Sequence, residues 1–317
     1  MKNKKTFYLV LRLIITAFLL YLIYRRIDLA FIRNLLLTSN YLYLLIAVLI
    51  FVLSNVTGAV QWYFLLRSQT DTDPGFFAMI RLYLFSAFFN NFLLSNVGGD
   101  VIKVYKLIKY KFDKNIIFSS VLWDRFISVL ILIFFSLITG YILFKKVVIL
   151  YSLALFLGAI ILLLILVKKY KLGSFLLKFV NIIRHKKINY FLKEFFLSFK
   201  IYLQRSKYIV LFYSFSILTQ FLKIFFMVLI AMALSITITP WEIFFIIPII
   251  GVVSALPISI NGLGVREYVG SYLFGFLDKE KALMSVFITV GNLVIILGNL
   301  FGVIFIFDKN KPKQSPV

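Results

Sequence analysis

The chain has 317 residues, 62% of them hydrophobic, and carries 35 Lys and Arg against 12 Asp and Glu, a formal net charge of +23. A soluble domain of this length has no core large enough to bury so much apolar side chain, so the sequence reads as a polytopic membrane protein. It has no cysteine and one histidine, His185, which excludes disulfides, cysteine nucleophiles and thiolate or histidine-cluster metal sites within the chain.

The N-terminus, Met1-Lys2-Asn3-Lys4-Lys5 ahead of an apolar run, has the form of a signal peptide. No small-residue cleavage site follows it, and we read an uncleaved first helix. Runs long enough to span a bilayer lie at about 6–24, 41–66, 116–144, 147–167, 208–233 and 282–307. Two further runs, 76–110 and 241–277, are broken by glycine about 164 residues apart. The first break reads Ser95-Asn96-Val97-Gly98-Gly99-Asp100 and leads to Lys103 and Tyr105; the second reads Ser259-Ile260-Asn261-Gly262-Leu263-Gly264 and leads to Arg266, Glu267 and Tyr268. A broken helix at membrane depth survives only inside protein or beside a water-filled cavity, because every freed backbone group needs a partner. Paired breaks in corresponding positions of two halves are a sequence pointer to a transporter's binding site.

Each broken run is expected to be a re-entrant hairpin of two half-helices. With the N-terminus in the cytoplasm, the cytoplasmic pieces then hold 23 of the 35 Lys and Arg and the external pieces 7, in line with the positive-inside rule. The other five, Arg12, Arg81, Arg125, Lys223 and Arg266, fall within membrane segments. On this topology the hairpins open to opposite faces, an inverted repeat whose tips meet near the midplane. The expected fold is therefore all-α, about six full spans plus two re-entrant hairpins. Its parts are an N-terminal membrane half (1–167, with hairpin 76–110), a cytoplasmic segment (168–207), a C-terminal membrane half (208–307, with hairpin 241–277) and a disordered tail (308–317). The 168–207 segment spaces Lys186, Lys193, Lys200 and Lys207 seven apart around Phe191, Phe195 and Phe199, the pattern of amphipathic helices on a membrane surface. The positive charge is thereby assigned to topology and anionic headgroups, and nucleic acid is not an expected partner.

A charge inside the membrane costs about 2.5–3.5 kcal/mol on insertion scales, so each calls for a partner or a purpose. Asp100 has two roles open to it, capping the half-helix that begins at Gly98-Gly99 or touching substrate. Lys103, one turn on, either pairs with Asp100 or meets a phosphate. Gly262 and Gly264 free backbone N–H groups for an anion, and Arg266 adds a planar fork suited to phosphate; an internal salt bridge is the alternative. Asp124 and Arg125 are adjacent and do not face each other on a helix. Arg81 is a candidate partner for Asp124, and Asp100 or Glu267 for Arg125. Lys223 either snorkels or lines the cavity. Asn90, Asn91, Ser95, Asn96, Ser259 and Asn261 are expected to satisfy freed backbone groups. Trp62, Trp123 and Trp241 fall near predicted span ends, as interfacial anchors do. No nucleotide loop, metal constellation or nucleophile–base pair stands out, and no cofactor is expected.

Asn90-Asn91, then Gly98-Gly99-Asp100 with Lys103 and Tyr105, then Trp123-Asp124-Arg125, then Leu256-Pro257, Gly262, Gly264 and Arg266-Glu267, in that order, resemble the lysylphosphatidylglycerol synthase transmembrane, flippase-like family over roughly residues 5–307. The resemblance implies about eight membrane segments in a bacterial or archaeal cytoplasmic membrane, with both termini in the cytoplasm on the topology above. It implies either movement of a phospholipid or lipid-linked headgroup between leaflets, or a subunit or intramembrane enzyme of lipid modification, phosphatidylglycerol aminoacylation or polyprenyl and glycolipid processing. The expected partners are membrane lipid and a separate lipid-modifying enzyme. The family often has Pro-Gly before Gly-Gly-Asp and Arg where Lys103 stands; here Ser95-Asn96-Val97 precedes it. Full synthases carry a cytosolic aminoacyl-transferase domain after the membrane part. This sequence stops about ten residues after its last predicted span, so phosphatidylglycerol lysyltransferase activity is not expected of it. The expected substrate-binding set is Arg266, Lys103, Asp100, Glu267, Gly98, Gly99, Gly262 and Gly264. Arg125, Asp124, Arg81, Asn91 and Tyr105 support it, with no catalytic residue and no metal ligand.

Overall fold

A computed structural model describes residues 37–69, 73–91, 98–110, 112–169, 206–254 and 264–305. The expected first span, most of the 168–207 segment, both glycine-rich break sequences up to Val97 and Leu263, and the tail lie outside the described residues. Those described form nine α-helices and no β-strand: α1 (Tyr41–Arg67), α2 (Phe76–Asn90), α3 (Gly98–Lys109), α4 (Lys114–Phe144), α5 (Val147–Lys169), α6 (Ser206–Ala233), α7 (Pro240–Ser254), α8 (Val265–Phe276) and α9 (Lys281–Leu300), extended by a 3-10 turn over Phe301–Phe305. Among the described residues four helical stretches are long and apolar enough to cross a bilayer: Tyr41–Arg67, Lys114–Phe144, Lys207–Ala233 and Leu283–Phe305. The protein is an all-helical polytopic membrane protein.

Side-chain chemistry starts and stops these helices where the sequence permits. Asn40 accepts the Leu42 N–H at 3.0 Å at the head of α1, and Asp113 accepts the Asn115 N–H at 2.7 Å at the head of α4. Thr239 and Glu242 cap α7 reciprocally: the Glu242 carboxylate accepts the Thr239 N–H at 2.7 Å and the Glu242 N–H donates to Thr239 Oγ1 at 3.3 Å. Lys145 ends α4 in the left-handed conformation, φ 49°.

The two glycine-broken runs take matching forms. Each is a 15-residue helix followed by a 12-residue helix, α2 then α3 and α7 then α8. At 1.5 Å per residue these are about 22 and 18 Å long, too short to cross a hydrocarbon core of roughly 30 Å. Within each run the two short helices pack on one another.

The interior divides into two apolar clusters. One gathers Phe51 of α1, Met227 and Ile230 of α6, Ile246 of α7, Phe274 of α8 and Phe287 of α9. The other gathers Trp62 and Leu66 of α1, Met79 of α2, Leu107 of α3, Ile117 and Trp123 of α4 and Phe212 of α6. α1 and α6 make the most extensive helix pair and belong to both clusters. On the outer face of α1, Leu42, Leu45, Leu49 and Leu53 are exposed at helical spacing, an apolar exterior suited to acyl chains. Trp62 and Trp123 correct an expectation: they are buried, at 0% and 5% exposure, and Trp62 Nε1 donates to Ser120 Oγ at 3.1 Å. Position near a span end does not say which side of a helix a ring occupies. Trp241, at the head of α7, is exposed.

Candidate functional site

A cavity of about 790 Å³ borders the first of these clusters and reaches Tyr83 at the edge of the second. Each of five helices presents one stripe to it at helical period: Tyr83, Ser86, Ala87, Asn90 and Asn91 from α2; Asp124, Arg125, Ser128, Val129 and Leu132 from α4; Gln220, Lys223, Ile224 and Met227 from α6; Ile247, Ile250, Gly251 and Ser254 from α7; Ile288, Gly291, Asn292, Ile295 and Asn299 from α9. Phe51 and Asn55 of α1, Asp100 and Lys103 of α3 and Arg266 of α8 also line it, as do Phe126 of α4, Phe226 of α6 and Ile296 of α9. Both broken runs thus contribute to one chamber whose walls mix amides and charges with aliphatic surface, in the size range of small-molecule sites.

Around Asp100 the charges compensate one another. Its carboxylate takes Lys103 Nζ at 2.7 Å on one oxygen; the other oxygen takes Arg125 Nη2 and, at 2.7 Å, Arg125 Nε. The Lys103 ammonium also lies 4.8 Å from the ring centre of Trp62 and 4.3 Å from that of Tyr83, and the residue is 5% exposed. Asp100 makes no capping bond among the described residues. The Gly99 N–H donates instead to Asn90 Oδ1 of α2 at 2.7 Å. Two cations claim the aspartate, and an amide from the preceding half-helix is closer to the helix start. Gly99 is glycine for a steric reason: a Cβ there would stand 2.6 Å from the Ser86 carbonyl oxygen and 2.8 Å from the Asn90 amide. Gly98 is buried at the first position of α3.

The second broken run is organised around Glu267. Gly264, at φ +79°, makes the left-handed turn into α8, and its N–H donates to Glu267 Oε2 at 2.7 Å. Glu267 Oε1 accepts from Asn292 Nδ2 at 3.2 Å, and Asn292 Oδ1 accepts from Arg266 Nη1 at 3.3 Å. Glu267 is 1% exposed and does not line the cavity. Expected in the substrate-binding set, its carboxylate here closes the first turn of α8 and, through Asn292, holds Arg266.

Asp124 accepts from Gln61 Nε2 of α1, the place expected for Arg81, which is half-buried and outside the cavity lining. Tyr105 is 65% exposed and outside the described cavity lining. Asn91 belongs to an amide ladder that no spacing or motif in the chain foreshadows. Asn55 Nδ2 donates to Asn299 Oδ1 at 3.2 Å, Asn299 Nδ2 to Asn91 Oδ1 at 3.0 Å, and Asn91 Nδ2 to the Ile296 carbonyl at 3.1 Å. Gly262 lies outside the described residues.

Among the described residues the charged lining comprises four cations, Lys103, Arg125, Lys223 and Arg266, and two carboxylates, Asp100 and Asp124. A chamber so composed favours an anion.

The model of the family described as lysylphosphatidylglycerol synthase TM region matches residues 9–300. The chain belongs to this family. No curated protein and no solved structure matches the chain. Membership identifies a multi-pass membrane protein of lipid metabolism or lipid translocation.

Proposed function

We propose that this protein is a lipid translocase, which passes the headgroup of a phospholipid or lipid-linked substrate through the chamber while the acyl chains remain in the bilayer. The observation that carries the reading is the convergence of Asp100 and Lys103 from one broken run and Arg266 from the other on a single chamber with more cations than carboxylates. Arg266 suits a phosphate because its fork stays charged and offers parallel donors, and among the described residues Asn292 leaves most of those donors unclaimed. The Asp100–Lys103–Arg125 group holds α3 against α4 and fixes the wall opposite.

In this reading α2–α3 and α7–α8 are re-entrant hairpins opening to opposite faces of the cell membrane, with both termini in the cytoplasm. Their lengths, and the packing of each pair on itself, support re-entry. The distribution of Lys and Arg supports the orientation.

The test is exchange of fluorescent phospholipids between leaflets of liposomes holding the purified protein, beside Arg266→Ala. Headgroup-dependent exchange that the variant loses, with the variant folded and inserted, is the expected result. Exchange at the wild-type rate in the variant removes Arg266 from the site. The family description, naming the membrane region of a synthase, favours a second reading as the membrane subunit of a lipid-modifying enzyme. Co-purification of such an enzyme, with no exchange by the protein alone, would establish that one.

A further inference from the structure

Lys223 is a membrane-depth cation for which the arrangement above has no use. It lies in α6, ten residues from Ala233 and sixteen from Lys207, the ends of a 27-residue candidate span. At 1.5 Å per residue those ends are about 15 and 24 Å away along the axis, farther than a four-carbon stem reaches, so snorkelling to an interface is not open to it. Gln220, Lys223, Ile224 and Met227 form the α6 stripe that lines the chamber, which places Lys223 on the inner face. Among the described residues Lys223 makes no hydrogen bond and no ion pair. Lys103 and Arg125 share Asp100, and Arg266 has Asn292. Asp124 is near enough for its charge to interact with that of Lys223, but the two form no ion pair, and Gln61 takes one of the carboxylate oxygens. An ammonium held at membrane depth with no hydrogen bond or ion pair among the described residues is expensive, and the cost points to a ligand.

We infer that Lys223 and Arg266, on separate walls of the chamber, form the phosphate-binding clamp, and that Lys103, assigned to phosphate from the sequence, is instead a fixed structural cation. The ligand chemistry is a phosphate monoester or diester. The inference rests on the reading of the chamber as a headgroup site. Arg266 supplies a planar fork and Lys223 a point charge on a flexible stem, so the two hold a phosphate without matching its full geometry. That combination suits a ligand that must be released on the far side.

The test uses the purified full chain with Lys223→Gln, Lys223→Arg and, as a control on an exposed cation, Lys146→Gln. Binding in detergent is read with dihexanoyl phosphatidylglycerol and, separately, with inorganic phosphate. Leaflet exchange is read in liposomes with fluorescent phosphatidylglycerol. Lys223→Gln is expected to weaken lipid binding at least about tenfold, Lys223→Arg to stay within about threefold of wild type, and Lys146→Gln to change nothing. Competition by inorganic phosphate that Lys223→Gln abolishes supports the clamp and makes free phosphate a ligand. Lipid binding lost in Lys223→Gln without phosphate competition supports the clamp as a lipid-headgroup site. Unchanged lipid binding in Lys223→Gln, or no binding of either probe by wild type, overturns it. Wild-type binding that needs Lys223, with no exchange of any lipid, keeps the clamp and removes the translocase. Exchange that persists while Lys223→Gln binds normally keeps the translocase and removes the clamp.

Discussion

Arg125 of α4 and Lys103 of α3 hold the same carboxylate, Asp100, from two directions: Arg125 Nε lies 2.7 Å from one oxygen and Lys103 Nζ 2.7 Å from the other. The aspartate therefore does for two cations what an ion pair does for one. Asp100→Asn removes the carboxylate that both cations share, and leaves Lys103 buried with its charge uncompensated. We expect a loss of about 3 kcal/mol, read as a lower apparent Tm in detergent. Adding Lys103→Met to Asp100→Asn should recover part of that loss, because the charge left behind goes with it. A double variant no more stable than Asp100→Asn would mean that the cost lies elsewhere.

Gly99→Ala should be among the most damaging small substitutions in the protein. The new methyl would be forced against the Ser86 carbonyl oxygen, a backbone atom that cannot swing aside, and against the Asn90 amide that caps the helix. Separation of α3 from α2 is expected, at about 2 kcal/mol or more. Asn90→Ala, which removes the cap without adding bulk, should cost about 1 kcal/mol. Folded yield and apparent Tm of the two variants should rank in that order.

Glu267 separates a structural carboxylate from one that meets the ligand. Glutamine at the third helical position still accepts the Gly264 N–H, so Glu267→Gln should keep α8 started; its single amide oxygen leaves Asn292 Nδ2 without an acceptor, and leaflet exchange should fall through the loosened Asn292–Arg266 contact, by less than in Arg266→Ala. Glu267→Ala should lose the cap and the Asn292 contact, lowering stability by about 1–2 kcal/mol. Exchange lost in a well-folded Glu267→Gln protein as completely as in Arg266→Ala would show that its charge acts directly.

The Asn55–Asn299–Asn91 ladder ties α1 and α9 to the end of α2. Asn299→Ala breaks two of its bonds at once and should cost about 1 kcal/mol, given roughly 0.6 kcal/mol for an average interhelical hydrogen bond in a membrane protein. Asn299→Asp, which keeps the acceptor and puts a carboxylate on the chamber wall, should slow exchange of an anionic lipid more than Asn299→Ala does.

The spans were legible because apolar length is itself the signal: the runs expected at 41–66, 116–144 and 208–233 are helices over Tyr41–Arg67, Lys114–Phe144 and Ser206–Ala233. The breaks stand out in the sequence because glycines, with charge within two residues, interrupt apolar runs that would otherwise continue as single spans. Side-chain pairing was legible only where few partners existed. Arg125 had Asp100 or Glu267 to choose from, and takes Asp100. Asp124 went to Gln61, an amide with nothing in its neighbourhood to mark the face of α1 that turns inward. The same ambiguity hid the burial of Trp62 and Trp123, and the joining of Asn55, Asn91 and Asn299, which are up to 244 residues apart in sequence. Periodicity gives the stripe on a helix but not the helix it will face.

The cations of the chamber are anchored to α3, α4, α6 and α8, and in the reading above they stay while the phosphate travels. Net charge then moves with the lipid alone. An inside-negative membrane voltage would push an anionic headgroup outward by about 2.3 kcal/mol for each 100 mV, close to a fiftyfold bias between leaflets. Such a transporter would need no nucleotide to work in one direction, and a potassium diffusion potential imposed across liposomes should reverse the side on which an anionic lipid accumulates.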